Sequence, residues 1–160
     1  MANWCYNFVQ FEGNEEAIKS GIKLFRQMRK KETEEKEGQL PPFIEIKDGW
    51  MHEIYCNDDN VSYETKWAPN IEIMQKIADH FNLSFIQSYT ESGMLIYGEC
   101  SYKDGVLTDV FLDTEDFDQY DTNPDNEDTW IFEGSVYNSD TEILDTLLDR
   151  KKELVYNIKN

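Results

Sequence analysis

Polar and apolar residues alternate from Asn3 to Glu12, and Gly13 closes the run. A period of two marks a strand with one buried face. Behind Asn14, a residue suited to capping a helix, Ile18, Ile22, Phe25 and Met28 recur at helical spacing. The helix is expected to fade in "KKETEEKEG", a charged solvated loop. "LPPF" is expected to run extended, because proline excludes helix there.

Residues 50–57, "WMHEIYCN", read as a second strand, and "NDDN" supplies turn chemistry. "VSYETKW" gives the sharpest alternation in the chain. It puts Val61, Tyr63, Thr65 and Trp67 on one face and Ser62, Glu64 and Lys66 on the other. "APN" stops this strand, and Asn70 is the expected cap of a second helix whose stripe is Ile71, Met74, Ile77, Ala78 and Phe81. "LSFIQSYT", "MLIYGECSY" and "VLTDVFL", joined by "ESG" and "KDG", predict an antiparallel meander. "WIFEGSVY" reads as a short strand or an apolar anchor. Ser139 or Asp140 caps a last helix. Ile143, Leu144, Leu147, Leu148 and Leu154 are expected to face inward, with Arg150, Lys151 and Lys152 late in the helix, where its dipole favours cations.

The order strand, helix, strand, strand, helix, strands predicts an α+β fold of the ferredoxin-like, split βαβ type. Two helices would lie on one face of an antiparallel sheet. Residues 1–112 make this domain. Residues 113–160 add an acidic loop, extra strand and a helix packed on the same body. Trp4, Tyr6 and Phe8 share one face of the first strand, and Tyr63 and Trp67 one face of theirs. These aromatics are expected to be core, either under the helices or under the C-terminal segment.

Charge changes the picture next. The chain has 33 acids and 15 bases, a net of −18, over 160 residues with 39% hydrophobic and 14% aromatic content. Residues 113–160 hold 14 of the acids and 4 of the bases, so more than half the excess sits in the last 48 residues. Such a field repels nucleic acid phosphates and anionic membranes and favours cationic partners. Direct nucleic acid binding is therefore not expected, even though aromatic sheet faces stack bases in other proteins. The three cysteines, Cys5, Cys56 and Cys100, are odd in number, lack a CxxC pair and lie in strand-like runs. Buried free thiols in a reducing compartment follow. With no basic, apolar leader and no long apolar run, a cytoplasmic location is expected.

Four stretches carry a resemblance. "MANWCYN" with its following Gly13, "YETKWAPN" at 63–70, "YTESG" with "YGE" at 89–99, and "YKDG" at 102–105 together resemble the YubB-type ferredoxin-like family over about residues 1–112. Its members are small proteins found mainly on plasmids, phages and other bacterial mobile elements. The resemblance implies a ferredoxin-like fold without an iron–sulfur cluster. It implies no activity and transfers no catalytic residue.

Candidate chemistry is sparse. Three scattered cysteines cannot hold an iron–sulfur cluster, and Cys5, Cys56, Cys100 and His52 lack zinc-site spacing. No cofactor is expected. His52 and His80 read as structural or surface residues. Glu64, Glu91 and Glu99 lie on or beside strands and form the alternative reading, a small enzyme with a carboxylate pair. The stretch 113–130, "DTEDFDQYDTNPDNEDTW", carries eight acids and no base. "DTNPDN", Asp121 to Asn126, matches five positions of a calcium loop but has Asn126 where Gly belongs and Phe132 at position twelve. Ca²⁺ stays open as an alternative to a solvated loop. The reading these features favour is a non-enzymatic accessory protein that meets a basic protein partner through an acidic surface, with Asp113, Glu115, Asp116, Asp118, Asp121, Asp125, Glu127, Asp128, Trp67 and Glu64 as the expected binding residues. Imitation of a polyanion such as DNA is the sharper form of that reading.

Overall fold

The computed structural model describes residues 3–159; Met1 and Ala2, which open the first quoted motif, lie outside the described residues. The elements are β1 (Trp4–Glu12), α1 (Glu15–Glu35), β2 (His52–Cys56), β3 (Asn60–Lys66), α2 (Ile71–Phe81), β4 (Ser84–Glu91), β5 (Ile96–Lys103), β6 (Val106–Phe111), α3 (Thr114–Phe117), β7 (Asp121–Thr122), β8 (Trp130–Phe132), β9 (Ser135–Tyr137) and α4 (Asp140–Lys159). Six strands pair in the order β2-β3-β1-β4-β5-β6, every pair antiparallel. The first four reproduce the split βαβ arrangement, and β5 and β6 extend it beyond β4. A second sheet, β7-β8-β9, is built from the acidic segment and its sequel.

Both helical stripes pack on one face. Ile22, Phe25 and Met28 of α1 and Ile73, Met74, Ile77 and Ala78 of α2 share a core with Val9, Phe11, Val61, Tyr63 and Phe85 of the sheet. The opposite face is divided. Over β5 and β6 it is covered by a second core in which Val110 and Leu112 meet Phe132, Ile143, Leu144, Leu147 and Leu148. Over β1, β3 and the near half of β4 it stays bare.

Local causes are readable at most boundaries. The Asn14 side chain accepts from the backbone N–H groups of Glu16 and Ala17, which starts α1 as expected. α1 does not fade at residue 30. It runs to Glu35 because the Glu32 carboxylate accepts from the N–H groups of Glu53 and Ile54, at 2.7 and 3.1 Å, and so clamps the bulged start of β2. "LPPF" is a turn, closed by the Ile44 N–H on the Pro41 carbonyl. The two tight hairpins, at Asp104–Gly105 and Glu133–Gly134, have positive φ at both central residues, as a right-twisted two-residue turn needs. Leu154 is 66% exposed rather than inward, one turn beyond the part of α4 that meets β6.

Asn70 corrects the expectation most clearly. It makes no side-chain cap bond to α2. Its Oδ1 accepts from the Tyr63 hydroxyl at 2.7 Å, and its Nδ2 donates to the Gly49 carbonyl at 2.9 Å. Tyr63 lies in turn beside Gln87, whose Nε2 donates to Asn7 Oδ1, and Asn7 donates to Thr65 Oγ1. A chain of amides and hydroxyls thus crosses β3, β1 and β4 beneath the helices. Among the described residues, Gln87 Oε1 is buried there without a partner.

A cap and a buried bridge respond differently to serine. Serine is a good cap, so Asn14→Ser should change stability by no more than about 0.5 kcal/mol. Asn70→Ser strands Tyr63 Oη and the Gly49 carbonyl and should lose about 1–3 kcal/mol. Urea unfolding of the two variants checks this, and equal losses would put Asn70 back in the capping role.

Candidate functional site

The bare face is organised by β1. Its odd positions, Cys5, Asn7, Val9 and Phe11, point to the helices, and its even positions point away. Trp4, Tyr6 and Phe8 are 40%, 45% and 37% exposed, so the expectation that they are core is overturned. No helix covers them, because α4 lies over the β5–β6 end of that face and borders the row only at Tyr6. By register Trp4 stands beside Lys66, Tyr6 between Glu64 and Thr90, and Phe8 between Ser62 and Ser88. The His52 ring meets Trp4 edge-on at 4.9 Å, and Lys66 Nζ lies 5.8 Å over the Trp4 ring. Trp67 does not share the face of Tyr63. It follows the end of β3 with φ 69°, is 49% exposed, and donates its N–H to the Asn3 carbonyl.

Where the bare face meets α4 there is a groove of about 350 Å³. Tyr6, Ser88, Thr90, Tyr97 and Glu99 make its floor, and Asp145, Leu148, Asp149 and Lys152 its wall. The wall residues recur at i, i+3, i+4 and i+7, one face of a helix. Lys152 bridges Glu99 at 3.2 Å and Asp149 at 3.1 Å, and the Tyr97 hydroxyl donates to Asp145. Burial lowers the Lys152 pKa, but its carboxylate neighbours outweigh that and the net shift is upward. For Tyr97, burial first and then Asp145 push the phenol well above its usual range.

The acidic stretch is folded rather than loose. Asp113 and Asp116 cap α3 reciprocally, and Lys151 reaches both, at 2.8 Å to Asp113. The Lys151 hydrogen bond, and then the backbone bond from Asp116, hold the Asp113 carboxyl below its ordinary value. Residues 123–129 form a pair of Asn-headed turns. Asn123 Oδ1 accepts from the Asp125 N–H, Asn126 Oδ1 from the Asp128 N–H, and Asn123 Nδ2 donates to Thr129 Oγ1. The Asn123 side chain, which a calcium loop would aim at the ion, is thus spent on the Asp125 N–H and on Thr129. Among the described residues no group of three or more His, Cys, Asp or Glu is arranged to hold a metal ion. Glu115, Asp118, Asp121, Asp125, Glu127 and Asp128 stay exposed.

The strand carboxylates do not converge. Glu91 is spent as a cap, its oxygens accepting from the N–H groups of Gly93 and Met94. Glu64 and Glu99 sit on β3 and β5, with β1 and β4 between them, about 14 Å apart at the usual strand spacing. Sequence reasoning missed Tyr6, Asp145 and Asp149. The helical spacing of 145, 149 and 152 was the available signal. Arg150, Lys151 and Lys152 are not dipole partners at the end of α4: they lie in its middle and pair with Glu133, with Asp113 and Asp116, and with Glu99 and Asp149.

Burial pushes the Cys100 thiol up to about 12, with Asp109 adding to it, and the Cys5 thiol to about 11. Gly98 leaves room for Tyr89, whose hydroxyl donates to Asp109; a Cβ at 98 would lie 2.4 Å from that oxygen. His80 stacks on Phe43 at 3.9 Å. No helix among the described residues is long and apolar enough to cross a membrane.

A family model described as the ferredoxin-like domain in Api92-like protein matches residues 48–133. The span runs from just before β2 through β8, so it takes in the acidic stretch that the sequence resemblance left outside. No curated protein and no solved structure matches the chain.

Two outcomes check this geometry. Half-buried Cys56, whose thiol is raised by burial but eased by Arg29 and Arg26, should react first with a thiol reagent at pH 8. Cys5 and Cys100 should react only after unfolding, so rapid modification of all three in the native protein would contradict their burial. The second outcome concerns acid. A depressed carboxyl contributes stability above its unfolded pKa, roughly 4, and loses it as pH falls through the lower folded value. Below pH 4, hydrogen exchange should therefore quicken over residues 113–137 before it does in β1, β3 and β4.

Proposed function

The chain belongs to the family of ferredoxin-like domains in Api92-like proteins, and on that footing we propose that it is a non-enzymatic binding protein whose acidic C-terminal layer meets a basic protein. The observation that carries the reading is the layout of the unpaired carboxylates. Asp118, Asp121, Asp125, Glu127 and Asp128 are spread over the outer surface of α3, β7 and the Asn-headed turns. Catalytic carboxylates converge in a concave site, whereas recognition charges cover a surface. The spread supports recognition.

Order supports it further. A solvated acidic tail would give up conformational freedom on binding. Here the turns, the α3 cap and the Lys151 bridge already hold the backbone, so a partner meets a preset arrangement of charge. The sharper form of the proposal is imitation of a nucleic acid backbone by a protein of bacterial mobile-element origin. The overall charge of −18 and the resemblance to the YubB-type proteins motivate it.

In this reading, immobilised protein at low salt retains a basic, DNA-binding protein from a bacterial extract, and added duplex DNA releases it. Replacing Asp118, Asp121, Asp125 and Asp128 by Asn and Glu127 by Gln together should weaken capture at least about tenfold, since surface charges are weakly screened at low ionic strength and act together. Capture that ignores both the five substitutions and competing DNA would dismiss the proposal.

A further inference from the structure

We propose that the bare half of the main sheet, the Trp4–Tyr6–Phe8 row with the groove beside α4, is a docking site for an extended segment rich in arginine or lysine. The proposal rests on the reading of this chain as a binder of a basic protein and names where a strand-like part of that protein lies.

The spacing fits an extended occupant. Alternate side chains on a strand stand about 7 Å apart, so Trp4, Tyr6 and Phe8 present three rings at the repeat of alternate residues in another extended chain. The area fits a narrow one. Three rings exposed by 37–45% leave roughly 250 Å² of open aromatic surface. A stable pairing of two folded copies needs about 800 Å² from each side. A second copy would also bring its own charge of −18 against this one.

Charge selects the chemistry. Glu64 flanks Tyr6 on one side. The groove on the other side holds three carboxylates, Glu99, Asp145 and Asp149, against the one ammonium of Lys152. Tyr6 belongs to both the row and the groove, so a chain lying across it reaches ring faces and carboxylates together. Trp4 already accepts a cation, since Lys66 Nζ stands over its ring. A guanidinium laid on Tyr6 would repeat that contact and reach the groove acids. Phosphate-bearing chains are disfavoured by the same carboxylates, although the rings alone would suit bases.

Fluorescence anisotropy tests this with a labelled decapeptide alternating arginine and valine, at about 0.15 M salt, where screening acts within about 8 Å. A matched peptide of glutamate and valine and a labelled oligothymidylate serve as comparisons. The arginine peptide should bind and the other two should not. Tyr6→Ser and Trp4→Ser replace exposed rings and leave the core alone, which circular dichroism and thermal unfolding verify. Each should weaken the arginine peptide roughly tenfold, while Tyr6→Trp restores it. The five-residue neutralisation of the acidic turns should change peptide affinity less than about threefold, because those charges lie on a different surface. Binding of the arginine peptide that ignores Tyr6 and Trp4 but falls with the acidic-turn variant overturns this inference and leaves the proposed function standing. Peptide binding that depends on Tyr6, with no basic protein captured, sinks the proposed function instead. Tighter binding of the oligothymidylate, lost on Tyr6→Ser, overturns the choice of a peptide.

Discussion

Asn7 is the constraint on which the arrangement turns. β1 is apolar on both sides: Cys5, Val9 and Phe11 line one, Trp4, Tyr6 and Phe8 the other. Hydrophobicity alone therefore chooses poorly between two registers, and a slip of one residue would exchange the faces. The buried amide removes the ambiguity. Only with Asn7 toward the helices do Thr65 and Gln87 lie within reach of its two ends, at 3.0 and 2.9 Å. In the slipped alternative Thr65 and Gln87 each lose their buried bond to Asn7, and Asn7 leaves its partners, a penalty of a few kcal/mol. A polar residue at the centre of the sheet thus decides which aromatic row is packed and which meets solvent.

The same point explains what the chain revealed on reading and what it hid. Ile22 and Ile77 belong to stripes whose period can be read directly, and both are packed on the sheet. The meander β4–β5–β6 was legible because its turn residues and its alternation agree. Trp67 was not, because a strand pattern says nothing about the left-handed residue that ends it. Asn70 sits where a cap is wanted, and only the fold brings Tyr63 and Gly49 to its amide. The continuation of α1 to Glu35 likewise depends on β2, a strand that starts 17 residues later.

The charged segment was legible in composition and not in form. Eight acids without a base read locally as a solvated loop. Their order comes from Lys151, far along the chain, and from Asn123 and Asn126, which turn the backbone between β7 and β8. The candidate groove was least visible, since its floor comes from three strands and its wall from a helix that starts 37 residues beyond the last of them. Each strand supplies one or two unremarkable side chains. Only the pairing order, with β4 between β1 and β5, sets Tyr6, Thr90 and Tyr97 side by side.

β5 and β6 form a party wall: the helical core leans on Cys100 and Tyr102 of β5 from one side, and the C-terminal core on Tyr97 of β5, Val110 of β6 and Leu112 just beyond it from the other. The two compartments are not equals. The inner one spans residues from Val9 to Tyr102 and owes the outer one nothing, whereas the outer one has Val110 and Leu112 of the wall as its foundation. Dismantling therefore has a direction. Peeling away the outer leaf would uncover greasy patches on an otherwise standing sheet, so crowding of chains into precipitates should begin from partly opened molecules, before the main body melts.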